Sequence, residues 1–425
     1  MLTNGPLTDL LDYPLVDAIT GRRSRRFGLG MEIPSGPLAF ESDSEPQPLT
    51  EMEQSVLVAA ATGVTGWSFG VPYGPDRPES HAHYSLRYTG RTGPTAGGFG
   101  TPVLFFTDDS GTYLTNTRDT EPDDTREYDG DPSDAERIID TCRKHTTQLS
   151  DQRLELPAQP PHMLPPNLWM GNAPGSTLFM PVGDASEQTL ALMAIAIGNG
   201  SVIVDDGEGR PAGDPKPHID SGMLDEERKF PLSILLQSAY EANCLELAFM
   251  GHNILLTMQA MGLGGLYFTG MSRWSLLGAF AYDGIEGLGF RFVDNPDSPM
   301  PDPVGIDGVY EGLCPPYYDD MHSAVEVFVE RKFGEDGTYR NGAGALAEDE
   351  VLNRVESYSD EFVAYLGSVA QYIYDTRGRF PGTFTTMVLP GYVQATHIDT
   401  DYYDTFYGQD AYLESHSNHW DVWHD

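Results

Sequence analysis

"PLSILLQSAYEANCLELAFMGHNILLTMQAMGLGG" spans residues 231–265 and is the most informative long segment of the chain. Its second half is apolar on nearly every side when it is written as a helix. A helix of that kind must be buried all round, either in a large core or in a subunit interface. The closing "GLGG" is a glycine-rich helix stop. We therefore predict a buried helix that ends at this glycine run.

The segments before this helix show alternating helix and strand patterns. Residues 49–63 predict a helix in which Thr50 and Glu53 form a capping box, and Gly63 can end it. Residues 101–115 predict a β-hairpin around Asp-Asp-Ser-Gly. Further predicted elements are a lead-in helix over 1–20, strands over 176–183 and 201–209, and a buried helix over 186–198.

Two regions differ in composition from the rest. Residues 116–166 are polar, acidic and rich in proline, which predicts a surface insertion with one helix over 132–149. Residues 301–425 are predicted to be a C-terminal extension that follows a domain over 1–300. Apolar residues at steps of three and four over 348–378 predict an amphipathic helix in that extension.

The charge of the chain is extreme. It contains 64 acidic and 25 basic residues among 425, a net charge of −39, and its lysines are only Lys144, Lys216, Lys229 and Lys332. Repulsion on this scale destabilises a compact state in dilute buffer, and salt screens it. We infer a protein adapted to a saline cytoplasm, as in a halophile. Because phosphates would be repelled, the charge argues against non-specific nucleic-acid binding.

Cysteine usage and hydropathy predict a cytoplasmic protein without a membrane segment. Cys142, Cys244 and Cys314 form no C-x-x-C pair, so neither a disulfide framework nor a zinc ribbon is supported. No signal peptide is visible at the N-terminus. The longest apolar run, over 189–198, has about half the length that a membrane span needs.

Two motifs suggest chemistry only weakly. "GWSFG" (66–70) matches the G-x-S-x-G nucleophile elbow, but the following "VPYGPDRP" cannot open the helix that this motif needs. The tail offers imidazoles and carboxylates, at a spacing that matches no specific metal motif. We predict a solvated or packed tail there and assign no metal site. The tail residues are His397, Asp399, Asp401, Asp404, His416, His419 and His424.

An arginine cluster is the strongest chemical signal. "GRRSRRFGLG" (21–30) contains four arginines within five positions. Such a cluster is either a salt-bridged surface patch or a fixed anion site, in which Ser24 adds a hydroxyl donor. No P-loop motif occurs, and no G-x-G-x-x-G follows a strand. The glycine-rich segments "RTGPTAGGFG" (91–100) and "GLGG" (262–265) could border the same ligand.

The order of these segments resembles that of the nitroreductase-like FMN flavoproteins, and most closely their azoline dehydrogenase branch. "RRSRRF" is similar to the family's N-terminal arginine box, and "RTGPTAGG" to that branch's Arg-x-x-Pro-Ser-Ala-Gly-Ala segment. "GHNILLTMQAMGLGG" is similar to its Gln-Asn-x-x-Leu helix. The resemblance covers roughly residues 15–290. Phe27 comes one residue early, Thr95 replaces serine, and His252 stands where glutamine is common.

The resemblance implies an α+β fold, with a mixed sheet flanked by helices, and a homodimer with FMN at its interface. The arginine box would bind the flavin phosphate, and the later segments would lie against the isoalloxazine ring and its edge. NADH or NADPH is a possible reductant. A small molecule or peptide would be the substrate. The implied FMN-binding residues are Arg22, Arg23, Ser24, Arg26, Pro94, Thr95, Ala96, Gly97, Gly264, Gly265 and Arg291.

Two rival functions stay open. One is a non-catalytic scaffold or binding subunit with the same fold. The other is a hydrolase that uses the serine of "GWSFG" or a metal bound by the tail. Neither the catalytic residues nor the substrate can be read from the sequence.

Overall fold

The structure is a computed structural model that describes residues 5–67, 87, 89–120, 132–296, 298–335, 337, 357–384 and 391–424. Its α-helices are α1 (Pro6–Asp12), α2 (Leu15–Gly21), α3 (Glu51–Thr62), α4 (Pro132–Lys144), α5 (Ala185–Gly198), α6 (Lys216–Asp220), α7 (Leu232–Met261), α8 (Arg273–Leu277), α9 (Met321–Phe333), α10 (Asp360–Arg377), α11 (Thr400–Phe406), α12 (Glu414–Ser417) and α13 (His419–Trp423).

The β-strands alternate with these helices along the chain. They are β1 (Glu32–Ile33), β2 (Phe40–Glu41), β3 (Val64–Trp67), β4 (Thr89–Arg91), β5 (Val103–Asp108), β6 (Gly111–Thr115), β7 (Thr146–Ser150), β8 (Thr177–Asp184), β9 (Ser201–Asp205), β10 (Arg210–Pro211), β11 (Asp225–Pro231), β12 (Gly264–Phe268), β13 (Arg291–Val293), β14 (Asp302–Ile306), β15 (Tyr310–Glu311), β16 (Thr383–Phe384) and β17 (Tyr392–Thr396).

Seven strands form the main sheet. Its order is β12-β17-β8-β5-β6-β7, and β16 also pairs with β8. Every pairing described in this sheet is antiparallel. Among the described strands, mixed pairing therefore occurs only in the small sheet β10-β9-β11, where β11 runs parallel to β9. The reason lies in the connections, because a hairpin such as β5–β6 imposes antiparallel pairing and a parallel pair needs a long crossover.

The helices α3 and α7 cover one face of the main sheet, and the short helix α8 covers the other together with irregular segments. In β5, Leu104 and Phe106 pack with α3 and α7, whereas Val103 and Phe105 pack with α8 and residues 154–170. Successive strand residues face opposite sides, so β5 is apolar throughout. A further core joins α5, α9 and α10. The molecule is an α+β structure with sheets flanked by helices.

The main sheet contains strands from both sides of residue 300. β17 lies between β12 and β8, and β16 pairs with β8. α10 packs with α5 in one hydrophobic core. Strands and helices from both sides of residue 300 therefore pair and pack with each other.

Several predicted elements are confirmed and others need correction. α3 has the predicted capping box, in which the Thr50 N–H donates to Glu53 over 2.6 Å. The lead-in helix is broken at Pro14 into α1 and α2. The helix predicted over 132–149 ends at Lys144, and the insertion then supplies β7 to the main sheet. Its threonines favour a strand because β-branched side chains fit a pleated sheet.

The central helix α7 ends as predicted, with Gly262 at a φ of +82°. It is not buried on every side, because Leu245 is 53% exposed and Phe249 is 40% exposed. No helix among the described residues is both long and apolar enough to cross a bilayer. Ser68 of "GWSFG" and the first part of the helix predicted over 348–378 lie outside the described residues.

Candidate functional site

The arginine segment lies against the glycine pair that follows α7. The Gly265 N–H donates to the Arg25 carbonyl over 2.6 Å, and the two residues pair as an antiparallel bridge. A Cβ on Gly264 would lie 3.0 Å from the same carbonyl oxygen. Gly265 has a φ of +133°, and a side chain there would collide with the Gln394 carbonyl. The glycines thus permit the close approach of two segments that are distant in sequence.

One arginine of the segment points into the protein. The Arg25 guanidinium donates to the side-chain oxygen of Gln259 and to the Ala411 carbonyl, each over 3.0 Å. Burial lowers the pKa of Arg25. Arg25 was not among the predicted ligand residues, and its contacts make it the residue that fixes the segment to α7 and to the C-terminal region.

The other polar side chains of the segment point outward. Arg22 is half-buried, and Arg23, Ser24 and Arg26 are exposed. The Arg23 guanidinium donates to the carbonyls of Thr20, over 3.0 Å, and Arg22, over 2.8 Å. Within the described ranges, neither Arg22, Arg23 nor Arg26 forms an ion pair with an acidic side chain. Within the described part of the chain, these three arginines therefore do not form a salt-bridged surface patch, which was the alternative to an anion site.

The segment 94–97 lies farther along α7. Pro94 and Thr95 line a small cavity of about 30 Å³ together with Glu246 and Met250 of α7. Gly97 has a φ of +72°, which glycine adopts without strain. At a rise of about 1.5 Å per residue, Met250 lies roughly 16 Å from the end of α7. The structure therefore places 94–97 and the arginine segment at two different positions along the same helix.

Arg291 lies in the small sheet β13-β14-β15, which contains neither residues 22–26 nor residues 94–97. It begins β13, which pairs with β14. Its guanidinium is 3.8 Å from an Asp307 carboxylate oxygen and 5.9 Å from the centre of the Tyr317 ring. These contacts give no support to its assignment to the phosphate site, and we leave it out of the proposal below.

Three histidines of the tail converge on one glutamate. The Glu53 Oε1 atom lies 3.2 Å from His397 Nε2, 2.7 Å from His419 Nε2 and 3.2 Å from His424 Nε2. The Nε2 atoms of His397 and His424 are themselves 3.2 Å apart. One ligand atom from each of the four residues lies within 4.8 Å of the others. We call Glu53, His397, His419 and His424 the histidine cluster.

The histidine cluster is built from three parts of the chain. Glu53 is the third residue of α3 and accepts the capping hydrogen bond from Thr50. His397 directly follows β17, and its carbonyl accepts from the Leu29 N–H over 3.0 Å. His419 and His424 lie at the two ends of α13. Only the last of these has much exposure, with 18% of its side chain accessible.

Backbone carbonyls orient two of the imidazoles. His397 Nδ1 lies 2.9 Å from the Gln47 carbonyl, and His419 Nδ1 lies 2.8 Å from the Met261 carbonyl. A carbonyl can only accept, so both Nδ1 atoms carry hydrogen and both Nε2 atoms face Glu53. Burial raises the pKa of Glu53, but contacts with His397 and His419 lower it by more, and it lies well below its usual range.

The remaining tail residues have other roles. Asp399 caps α11 by accepting from the Asp401 and Tyr402 N–H groups, and Asp401 and Asp404 are exposed. His416 is buried outside the cluster, where desolvation lowers its pKa to about 3. The predicted packed tail is therefore correct in part. Glu53 was missed as a ligand candidate, because its capping position already explained it and no spacing relates it to the tail.

A second buried polar group consists of opposite charges. Arg118 Nη1 lies 2.9 Å from Asp184 Oδ2, and Arg87 Nη2 lies 2.9 Å from Glu187 Oε1. Asp119 also contacts Arg87, at 2.8 Å. Burial alone lowers the pKa of Arg118, but the surrounding carboxylates raise it overall. Because cations and carboxylates are paired here, this network holds the start of α5 in the core.

Two larger cavities lie near these elements. One, of about 480 Å³, is lined by α1, the end of α7 and residues 413–423, including His419. Another, of about 460 Å³, lies between α5, α7 and α8 and is lined in part by Arg273 and Arg379. Both volumes fall in the range of small-molecule sites. Neither cavity is lined by residues 22–26.

Comparisons with known proteins add only weak likeness to solved structures. No protein family matches the chain, and no curated protein sequence matches it. Among solved structures, the chain is similar to the crystal structure of a "putative nitroreductase" from Ralstonia eutropha. The two are 13% identical, the match covers 61% of this chain and 71% of that one, and the TM-score is 0.27. A likeness of this strength carries no conclusion about fold or chemistry.

Proposed function

We propose that this chain is an FMN-dependent oxidoreductase of the nitroreductase-like kind, with residues 22–26 as the binding site for the flavin phosphate. The observation that supports this most is the group of outward arginines at the point where the segment meets Gly264 and Gly265. In a chain of net charge −39, a phosphate dianion is repelled unless fixed cations meet it. Arginine is suited to that task because its planar guanidinium binds phosphate oxygens in pairs.

The residues of the segment would divide the work of binding. Arg22, Arg23 and Arg26 would donate to the phosphate, and Ser24 would add a hydroxyl donor. Arg25 would hold the segment in place through Gln259 and the Ala411 carbonyl. Because the backbone of the segment is already fixed, binding an anion would order the arginine side chains but not the backbone, which limits the entropic cost of binding.

The ring of the flavin would lie against the glycine-rich segments. Bound FMN would carry the hydride, while the protein holds and orients it. Pro94, Thr95, Ala96 and Gly97 are the residues that the resemblance assigns to the ring, and the Gly264–Gly265 pair would lie at its edge. Since both segments adjoin α7, this helix would set the separation between the phosphate and the ring.

The exposed apolar face of α7 supports a homodimer. Leu245 and Phe249 are exposed at a spacing of four residues, and Ala248 and His252 lie on the same exposed side. Apolar side chains at helical spacing on a surface are typical of subunit interfaces. We propose that a second copy covers this face. Light scattering in molar KCl would distinguish the dimer from a monomer, and a monomer would contradict this part of the proposal.

The substrate and the reductant remain proposals from the resemblance. A small organic molecule or a peptide would exchange hydride with the flavin, and NADH or NADPH would reduce it. Steady-state assays in molar KCl with each nucleotide would test the reductant.

The test of the proposed function is the affinity for FMN. Apoprotein is titrated with FMN in molar KCl, and quenching of the flavin fluorescence gives the Kd. Arg22→Ala should raise the Kd by about 10- to 100-fold, because a hydrogen bond to a charged group contributes about 1.5–3 kcal/mol.

The control is Arg228→Ala, which removes an exposed arginine that donates to the Asn199 carbonyl, far from the arginine segment in sequence. It should leave the Kd unchanged. Equal affinities of Arg22→Ala and the unsubstituted protein, with both folded by circular dichroism, would contradict the assignment of the phosphate site.

A further inference from the structure

We propose that the histidine cluster binds one divalent transition-metal ion, of the class that includes Zn²⁺, Fe²⁺ and Co²⁺. The site would hold the C-terminal segment against α3 and the end of β17. It is independent of the flavin proposal, since none of its ligands belongs to the residues assigned to FMN.

The spacing of the four ligand atoms fits a tetrahedral ion. Metal–ligand bonds of about 2.0–2.1 Å to imidazole and carboxylate place tetrahedral ligands about 3.3–3.4 Å apart. Three of the separations in the cluster are 3.2 Å: Glu53 to His397, Glu53 to His424, and His397 to His424. The separation between Glu53 and His419 is 2.7 Å, and the two between His419 and the other histidines are at most 4.8 Å. A tetrahedral site would require His419 to move slightly away from Glu53.

The rings of His397 and His419 each turn one nitrogen toward the Glu53 carboxylate. Because Nδ1 of His397 and of His419 donates to a carbonyl, Nε2 is the ring atom of each that lies beside the Glu53 carboxylate and can ligate an ion. The buried His419 Nε2 makes no hydrogen bond of normal geometry, although it lies 2.7 Å from Glu53 Oε1. Nitrogen and carboxylate atoms this close to one another need positive charge between them, and a metal ion at their centre would supply it.

The surroundings of the ligands are those of a metal site. A ligating histidine usually donates its other ring N–H to a carbonyl or carboxylate, which fixes the orientation of the ring. His397 and His419 do so, to the Gln47 and Met261 carbonyls. Imidazole with one carboxylate suits zinc and neighbouring divalent metals rather than Ca²⁺ or Mg²⁺, which prefer oxygen ligands. His424, with 18% of its side chain accessible, leaves a route from solvent.

The number of protein ligands favours a structural role. A tetrahedral ion with four protein ligands has no open position for water or substrate, whereas catalytic zinc sites keep one open. The ligands come from α3, from the end of β17 and from α13. The ion would therefore join three parts of the chain, and its binding free energy would stabilise the fold.

The first test measures the metal directly. Protein without a histidine tag is prepared in molar KCl without chelator and analysed by inductively coupled plasma mass spectrometry. We expect close to one transition-metal equivalent per chain. After dialysis against a chelator, the melting temperature should fall. Added Co²⁺ should restore it and produce the visible bands of a tetrahedral cobalt site.

Variants then identify the ligands. Glu53→Gln keeps a capping acceptor for α3 but removes the charge, and His424→Ala removes the most exposed of the four ligands. Both should bind Co²⁺ at least about tenfold more weakly than the unsubstituted protein. His218→Gln is the control, because His218 also contacts a carboxylate, Glu361, at 3.3 Å but lies outside the cluster. It should bind Co²⁺ normally.

Two results would overturn the proposal. One is a folded, chelator-treated protein that takes up neither Zn²⁺ nor Co²⁺, which would mean that protons alone neutralise the cluster. The other is normal Co²⁺ binding by folded Glu53→Gln and His424→Ala. Metal content can be measured whether or not flavin is bound, so a failure of the flavin proposal would not be mistaken for a failure of this one.

Discussion

Within the arginine segment, neighbouring side chains lie on opposite sides of the backbone. Arg25 and Phe27 are buried, and Phe27 stacks on Tyr402 with ring centres 4.3 Å apart, whereas Arg26 between them is exposed. The buried residues hold the segment, and the exposed ones are available to a ligand. A substitution at Arg22 or Arg26 should therefore change anion affinity without much loss of stability.

A single buried lysine should give the chain a measurable pH dependence. Desolvation lowers the pKa of Lys332 from 10.5 to about 7, and its Nζ donates to the Tyr358 hydroxyl over 2.8 Å. Between pH 7 and about 10.5 the unfolded chain keeps this proton and the folded one has lost it. The contribution of Lys332 to the free energy of unfolding should therefore rise as the pH rises from 7 to about 10.5.

Lys332→Met should remove this rise. The free energy of unfolding of the variant, minus that of the unsubstituted protein, should be largest near pH 7. This difference should fall by a few kcal/mol toward pH 10. Urea unfolding at several pH values in fixed KCl measures it. Lys216→Met is the control, because Lys216 is exposed and Asp220 raises its pKa. A difference that does not vary with pH would show that Lys332 is charged in the folded chain.

At the scale of elements, local patterns predicted helices and turns better than they predicted which strands pair in the main sheet. The capping box of α3, the hairpin β5–β6 and the glycine stop of α7 are all local signals, and all were confirmed. β7 and β17 were missed as members of the main sheet. Pairing depends on partners far away in sequence, which period and propensity do not encode.

The same limit applies to the candidate sites. The proximity of the arginine segment to Gly264 and Gly265 followed from a resemblance in segment order. The histidine cluster has a signal in the tail, but its fourth member, Glu53, lies on α3 and already had a local explanation as a cap. Only the fold brings a residue of α3 to residues 397–424.

Substitution of the glycine that ends α7 tests how tightly the C-terminal region packs against this helix. Gly262 has a φ of +82°, and a Cβ there would collide with the Ser415 carbonyl of the C-terminal region. Gly222 has a similar φ of +86°, with nothing close to its would-be Cβ. Gly222→Ala should cost about 1–2 kcal/mol from the left-handed backbone alone. Gly262→Ala should cost clearly more, because the tail must also move.

Urea unfolding of both variants measures this difference. Equal losses of stability would mean that the tail does not pack against the end of α7 as described. A larger loss in Gly262→Ala, accompanied by weaker Co²⁺ binding, would connect this packing to the histidine cluster, since the Met261 carbonyl accepts from His419.

At the scale of the whole molecule, charge should determine the conditions in which the chain folds. With 64 acidic residues against 25 basic ones, repulsion opposes the compact state at low ionic strength. The free energy of unfolding in urea should therefore rise steeply with KCl and level off near 1 M, where the Debye length is about 3 Å. Sorbitol should not reproduce this rise, because it does not screen charge. Stability that is independent of KCl would contradict the halophilic interpretation.

The central claim is that the arginine segment binds flavin. The most direct measurement is the visible absorbance spectrum of the protein purified in molar KCl, with any released chromophore identified by chromatography. We predict a flavin spectrum and the release of FMN. A colourless protein that also fails to take up added FMN in the same salt would contradict the proposed function.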